Sequence, residues 1–165
     1  MTTRATAVRR ATPDRAGQSD TDDRMRALLS RPDPGPVGER LVLLHFRGRR
    51  TGRRFDVPVG LHRLGDDLVV ATGSPWRHNF AGGTPAEVTW RGRRRTARLR
   101  LVTSAERTAD GYWRLLRRYG LADGPRRLGI LVSVDREPTL DEVRHAVDHF
   151  GLSLVEVELE EEGTE

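Results

Sequence analysis

The sequence predicts an α+β chain built around an antiparallel barrel. Three observations carry this. Between residues 40 and 102, apolar and polar residues alternate in five short runs. The turns joining those runs are too short to hold the crossover helix that parallel strands need. Helical spacing becomes strong only after residue 103.

Residues 1–20, through Arg9, Arg10, Pro13, Asp14 and Gly17, show no periodicity and read as a flexible basic tail. Asp22 caps a short helix carrying Met25, Leu28 and Leu29. The prolines at 32, 34 and 36 end it, because they block helix and ladder hydrogen bonds alike. Residues 41–46 form an apolar strand. Phe55, Val57, Val59 and Leu61 alternate, so one face is buried. A turn at Gly65-Asp66-Asp67 precedes a strand over 68–71. Ala86, Val88 and Trp90 alternate up to a hairpin turn at Gly92-Arg93, and Ala97, Leu99 and Leu101 alternate after it. Thr103-Ser-Ala-Glu106 predicts a capping box, followed by a helix with Tyr112, Leu116 and Tyr119 on one face and Gly120 as its stop. Residues 128–134 read as a strand. Thr139-Leu-Asp-Glu142 predicts a second capping box before a helix over 139–150. Residues 153–159 alternate as a last strand.

Composition sets the classes. The 165 residues suit one domain, and the apolar fraction of 36% supports one modest core. No run is long enough to span a membrane, and residues 1–20 lack the apolar stretch of a secretory signal, so the cytoplasm is the expected compartment. Cysteine is absent, which excludes disulfides, thiolate zinc sites and cysteine nucleophiles. All 29 basic residues are Arg. Residues 1–134 hold 27 of them against 13 acidic residues, whereas 135–165 hold 2 against 11. A basic body with an acidic end should attract anions such as nucleic acid, phosphate esters or an anionic cofactor.

Two segments stand out chemically. In Gly48-Arg49-Arg50-Thr51-Gly52-Arg53-Arg54, glycines that permit positive φ sit among guanidinium groups, which suits a phosphate or carboxylate site. A solvated hairpin turn is the competing reading. In Pro75-Trp76-Arg77-His78-Asn79-Phe80, Trp76 either packs on a flat ring or closes the barrel end, and Asn79 either caps a short turn or fixes the loop. His145 and His149 lie four apart on a helix without the Glu of a zinc-protease motif, so no metal site is expected. The Arg-rich hairpin 91–95 beside Trp90 is the candidate nucleic-acid contact, with a plain exposed turn as the stronger reading.

The ordered set is similar to the deazaflavin (F420)-dependent nitroreductase and quinone reductase family. The likeness rests on Leu43-Leu-His-Phe-Arg-Gly-Arg-Arg-Thr-Gly-Arg-Arg-Phe-Asp-Val-Pro58, the 65–71 turn and strand, Trp76 and Asn79, the 86–90 strand with its hairpin, and Val102-Thr-Ser-Ala-Glu106. That resemblance implies a split β-barrel and places a cofactor-binding domain over 21–134. The acidic helix–strand extension over 135–165 is expected to pack on the same domain. The implied cofactor is coenzyme F420, with FMN as the alternative. Arg49, Arg50, Thr51, Gly52 and Arg53 would hold the phosphate region, with Pro58 downstream. Ala71, Thr72, Gly73, Ser74, Trp76 and Asn79 would lie near the ring. The implied reaction passes hydride to an electron-poor alkene, quinone or nitro compound, with Tyr112, Ser74, His78 or water as proton donor. A small-molecule substrate is expected rather than nucleic acid, and the resemblance implies a homodimer. The rival reading is a barrel that binds a small apolar molecule, or rearranges one, without flavin.

Overall fold

Residues 6–11 and 15–160 are described by a computed structural model. The chain opens with β1 (Val8–Arg10) and α1 (Arg15–Leu29). Then come β2 (Leu41–Arg47), β3 (Arg54–Gly60), β4 (His62–Leu64), β5 (Asp67–Thr72), β6 (Thr84–Trp90) and β7 (Arg93–Leu101). The second half holds α2 (Ala105–Tyr119), α3 (Gly124–Leu128), β8 (Ile130–Val132), α4 (Leu140–Phe150) and β9 (Ser153–Leu159). A short 3-10 helix, Pro75–Phe80, links β5 to β6.

Seven strands form one antiparallel sheet in the order β3-β2-β6-β7-β9-β5-β4. β3 and β4 stand at opposite ends of that order, yet only Leu61 separates them along the chain. One bent length of chain therefore runs from edge to edge and curls the sheet on itself. The Leu61 N–H donates to the Arg40 carbonyl at 2.8 Å, which ties the bend to the foot of β2. Inside the curl, Val42, Leu44, Val70, Val88, Leu99 and Val155 are all fully buried. They are the inward members of alternating strands, as period-2 patterning requires. A second core lies outside the curl, where Tyr112, Leu115, Val143, Ala146 and Leu154 pack α2 and α4 against β9. The fold class is thus the expected one, an α+β antiparallel split barrel with flanking helices.

Several elements depart from expectation. Part of the tail is structured: β1 pairs with β8, Val8 opposite Val132 and Arg10 opposite Ile130, and Ala7 and Val8 are buried. Three residues are too few for a periodicity to register. The remainder of that tail at 1–5 and 12–14 lies outside the described residues. α1 starts at Arg15, so Asp22 is mid-helix rather than a cap. Its first half carries no apolar stripe. Its position is set at the far end, where Leu29 is buried and Arg26 Nε donates to the Asp56 carbonyl at 2.8 Å.

Other boundaries shift for local reasons. Ser104, not Thr103, caps α2, accepting from the Arg107 N–H at 3.2 Å. Leu128 ends α3 instead of opening a strand, because Gly129 takes the left-handed conformation at φ 67 and stops the helix. The β6–β7 turn is Arg91-Gly92, both at positive φ, one residue earlier than expected, since Trp90 pairs with Arg93. β4 was hidden by its three-residue length. The acidic end is no appendage, because β9 lies between β5 and β7 and joins the two halves of the sheet. Its outward Glu156 meets Arg107 at 2.8 Å and Arg100 at 3.8 Å, so its charge is matched by the basic body.

Candidate functional site

The turn between β2 and β3 is closed by its own backbone. Gly48 N–H donates to the Arg53 carbonyl and Gly52 N–H to the Gly48 carbonyl, both at 2.8 Å. Thr51 Oγ1 accepts from the Arg53 N–H at 3.2 Å. Gly52 takes φ 70, a conformation most side chains resist. Gly48 has a different reason: a Cβ there would meet the Phe55 ring at 3.0 Å. Arg49, Arg50 and Arg53 are exposed, and none has a carboxylate within ion-pair distance among the described residues. The backbone N–H groups of Arg50 and Thr51 likewise find no acceptor in the turn. Among the described residues, three guanidinium groups without a carboxylate and two N–H groups without an acceptor thus share one loop, a donor set that suits an anion.

The structure joins this turn to the other segment the sequence singled out. Asn79 Oδ1 accepts from the Arg49 N–H at 2.9 Å, and Asn79 Nδ2 donates to the Trp76 carbonyl at 2.8 Å. Asn79 therefore pins the Arg turn to the 3-10 segment Pro75–Phe80. Trp76 serves the barrel end. Its ring lies 5.7 Å from Phe46 and 5.9 Å from Phe80, and Phe46 stacks on Phe55 at 5.1 Å. Arg53 closes the set over Phe55 at 5.5 Å. At about 2 Å per residue, the 3-10 segment spans roughly 10 Å from Ser74 to Asn79.

At the Ser74 end opens a cavity of about 640 Å³, within the range of small-molecule sites. Ala71, Thr72, Gly73 and Ser74 line it together with the apolar Leu128, Ile130 and Leu131. Ser74 N–H donates to Thr72 Oγ1 at 3.0 Å, while the Ser74 hydroxyl is left without a partner. Arg77 turns back under the loop, and its Nη1 donates to the carbonyls of Gly73 at 2.8 Å and Ser74 at 3.0 Å. Burial, and then the charge of Arg10, pulls the Arg77 pKa below its usual value. Arg10 was missed as a site residue because it sat in the presumed tail; it reaches the cavity through the β1–β8 pairing.

The remaining expected residues fall elsewhere. Tyr112 does not line the cavity: it is buried, and its hydroxyl donates to the Ser153 carbonyl at 2.9 Å. Burial holds its pKa well above the usual tyrosine value. Tyr112 is thus a core residue, and the helical spacing that drew attention to it marks the core face. His78 is exposed on the 3-10 segment. Pro58 pairs with Leu43 inside β3, away from the turn. His145 and His149 stack on each other at 4.9 Å, and no group of three potential metal ligands occurs among the described residues. The Arg-rich hairpin is tied to the chain's own acceptors: Arg91 to Glu39 at 2.9 Å, Arg94 to Glu87 at 2.8 Å, and Arg95 to the Glu160 carbonyl at 3.1 Å. No helix among the described residues is long and apolar enough to cross a membrane.

Sequence reading also passed over a relay on the outer face of β2, β3 and β6. His45 Nδ1 meets Asp56 Oδ1 and its Nε2 meets Thr89 Oγ1, both at 2.6 Å. The hydrogen bond and charge of His45 pull the Asp56 pKa down. The ionised Asp56 makes Nδ1 the protonated nitrogen, so Nε2 accepts from the Thr89 hydroxyl when the ring is neutral. Thr89 does not line the neighbouring pocket of His45, Arg47, Arg54, Glu87 and Arg94. The relay thus reads as a cross-strand tie.

No family model matches the sequence, and no curated protein matches it. Among solved structures, the chain is similar to the FAD and heme binding protein from Mycobacterium smegmatis. The TM-score is 0.39 and the identity 21%, over 87% of this chain and 73% of that one. It is also similar to a protein from Bacteroides thetaiotaomicron described as a 5-nitroimidazole antibiotic resistance protein. There the TM-score is 0.37 and the identity 9%, over 84% of this chain and 80% of that one.

Proposed function

We propose that this protein is a deazaflavin-dependent reductase. The observation that carries the reading is the Arg turn, unpaired in charge and pinned by Asn79 to a segment whose other end opens on a cavity. A cofactor with a flat ring and a phosphate-bearing arm needs two such subsites, one cationic and one largely apolar. The residues present fit that need. Arg49, Arg50 and Arg53, with the free N–H groups of Arg50 and Thr51, would hold the phosphate. Ala71, Thr72, Gly73 and Ser74 would line the ring. When bound, the reduced deazaflavin supplies a hydride to an electron-poor alkene, quinone or nitro group. The chain itself binds, orients and excludes water. The Ser74 hydroxyl, at the cavity wall and without a partner among the described residues, would pass a proton to the acceptor and regain one from solvent.

Side-by-side fluorescence titrations of the full chain with coenzyme F420 and with FMN test this. The expected result is saturable F420 binding that weakens with salt, as a phosphate ion pair should, and weaker FMN binding. Tighter FMN binding would replace the deazaflavin by a flavin. Binding of neither would leave the non-redox barrel, a reading favoured by the apolar lining of the cavity and by Trp76 being already packed in the barrel end.

A further inference from the structure

The charges around the cavity do not balance. Arg126 on its wall is paired with Asp123 at 2.5 Å. Arg10 on the same wall has no carboxylate within ion-pair distance among the described residues, nor has Arg77 beside it. Both side chains reach Gly73, Arg77 through its carbonyl at 2.8 Å and Arg10 by lying across its Cα. Along α2, by contrast, Arg107, Arg114 and Arg117 each meet a carboxylate. Two neighbouring cations without a carboxylate among the described residues, at the mouth of a cavity, favour an incoming anion.

The position of Arg10 is also built. β1 delivers it by pairing Arg10 with Ile130, and the side chain then lies across Gly73. A Cβ at Gly73 would stand 2.8 Å from Arg10 Cδ and Nε, so a larger residue there would push the Arg10 side chain out of this position. Beside it the cavity has an apolar lining in Leu128, Ile130 and Leu131. Leu131, which lines the cavity, is 44% exposed, unusual for a large hydrophobic residue in this chain.

We propose that this cavity binds a small organic acid, its carboxylate on Arg10 and its apolar body against Leu128, Ile130 and Leu131. One free guanidinium fork matches one carboxylate in a bidentate pair. Arg77 already gives its Nη1 to the Gly73 and Ser74 carbonyls, and the apolar lining favours an organic acid over inorganic phosphate. The inference deepens the reductase reading by naming the class of its hydride acceptor, and rests on that reading only for the chemistry after binding.

Calorimetric titration of the full chain without cofactor, using benzoate, benzamide and inorganic phosphate, tests it. Benzoate should bind, benzamide should bind at least about tenfold more weakly, and phosphate should not compete. Arg10→Gln should weaken benzoate binding by roughly 10- to 100-fold, the loss of a charge-assisted hydrogen bond, and leave benzamide unchanged. Gly73→Ala should weaken benzoate too, by displacing Arg10 while keeping its charge. Arg126→Gln, already paired to Asp123, should change binding by no more than about threefold. The proposal is overturned if benzoate does not bind, if benzamide matches it, if phosphate competes equally, or if the two Arg substitutions act alike. No cofactor is present in these titrations, so their failure leaves the deazaflavin result standing, and the reverse holds as well.

Discussion

His62 is buried, its Nδ1 within 2.7 Å of the Tyr119 hydroxyl and its Nε2 without a partner. Burial, reinforced by the charges of Arg127 and Arg118, lowers its pKa from 6.5 to about 4. In the unfolded chain the imidazole takes up its proton near 6.5; in the folded chain it resists until about 4. Between those values the unfolded state binds more protons, so stability falls as pH falls through that window. The span corresponds to roughly 3 kcal/mol. Below about pH 4.5 a second loss sets in. Arg136, and then the Thr139 backbone N–H, hold the Glu142 carboxylate at about 2, so its contribution disappears as pH falls toward that value. Urea denaturation from pH 7 to 4 should therefore show a steady decline in the native chain. His62→Phe should flatten the slope between 6.5 and 4 whatever its absolute stability. An unchanged slope in that variant would assign the decline to another group. Residue types alone did not announce His62, because its burial arises only when α2 packs beside β4.

At the scale of elements, α4 is the part read most directly. Thr139 Oγ1 accepts from the Glu142 N–H at 3.2 Å, and Glu142 Oε1 accepts from the Thr139 N–H at 2.9 Å, the reciprocal pair that the spacing of a Thr and a Glu predicts. Thr139→Ala should cost about 1 kcal/mol in a denaturant titration, with the m-value unchanged. A cost near zero would mean that tertiary packing alone holds the helix start. The strands with two-sided contrast, such as 86–90, were equally legible, since burial on one face leaves a period of two. What stayed hidden were elements without periodicity. β1 and β4 are three residues each, and the first half of α1 holds no large apolar residue. The place of β9 was also beyond local reading: alternation identifies a strand but not its neighbours. Because β9 bonds to both β5 and β7, a chain ended after Val134 should lose cooperative unfolding and its near-ultraviolet circular dichroism. A sharp thermal transition in that truncated chain would show that the barrel closes without it.

Over the whole molecule, the site was legible in pieces and illegible as an assembly. The turn at 48–54 and the segment at 75–80 each carried a chemical signal, but nothing in their 30-residue separation foretold that the Arg49 N–H and Asn79 Oδ1 would meet. Tyr112 shows the converse error, a polar residue on an apolar helical stripe whose hydroxyl is spent inside the core. Arg10 needed the β1–β8 pairing before it could count at all. The net charge of +5 masks a sharper distribution, with the acidic end matched to the body and the Arg turn left bare. If that bareness is a clamp for the cofactor phosphate, position must matter more than charge. The deciding measurement is coenzyme F420 affinity for Arg50→Ala against Arg94→Ala, which removes the same charge from a hairpin already paired to Glu87. Loss of a charge-assisted hydrogen bond at Arg50 should weaken binding by roughly 1.5–3 kcal/mol, with the melting temperature of the free protein barely moved. Arg94→Ala should leave affinity nearly unchanged. Equal losses in the two variants would reduce the attraction to a general field, and no loss in either would contradict the clamp outright.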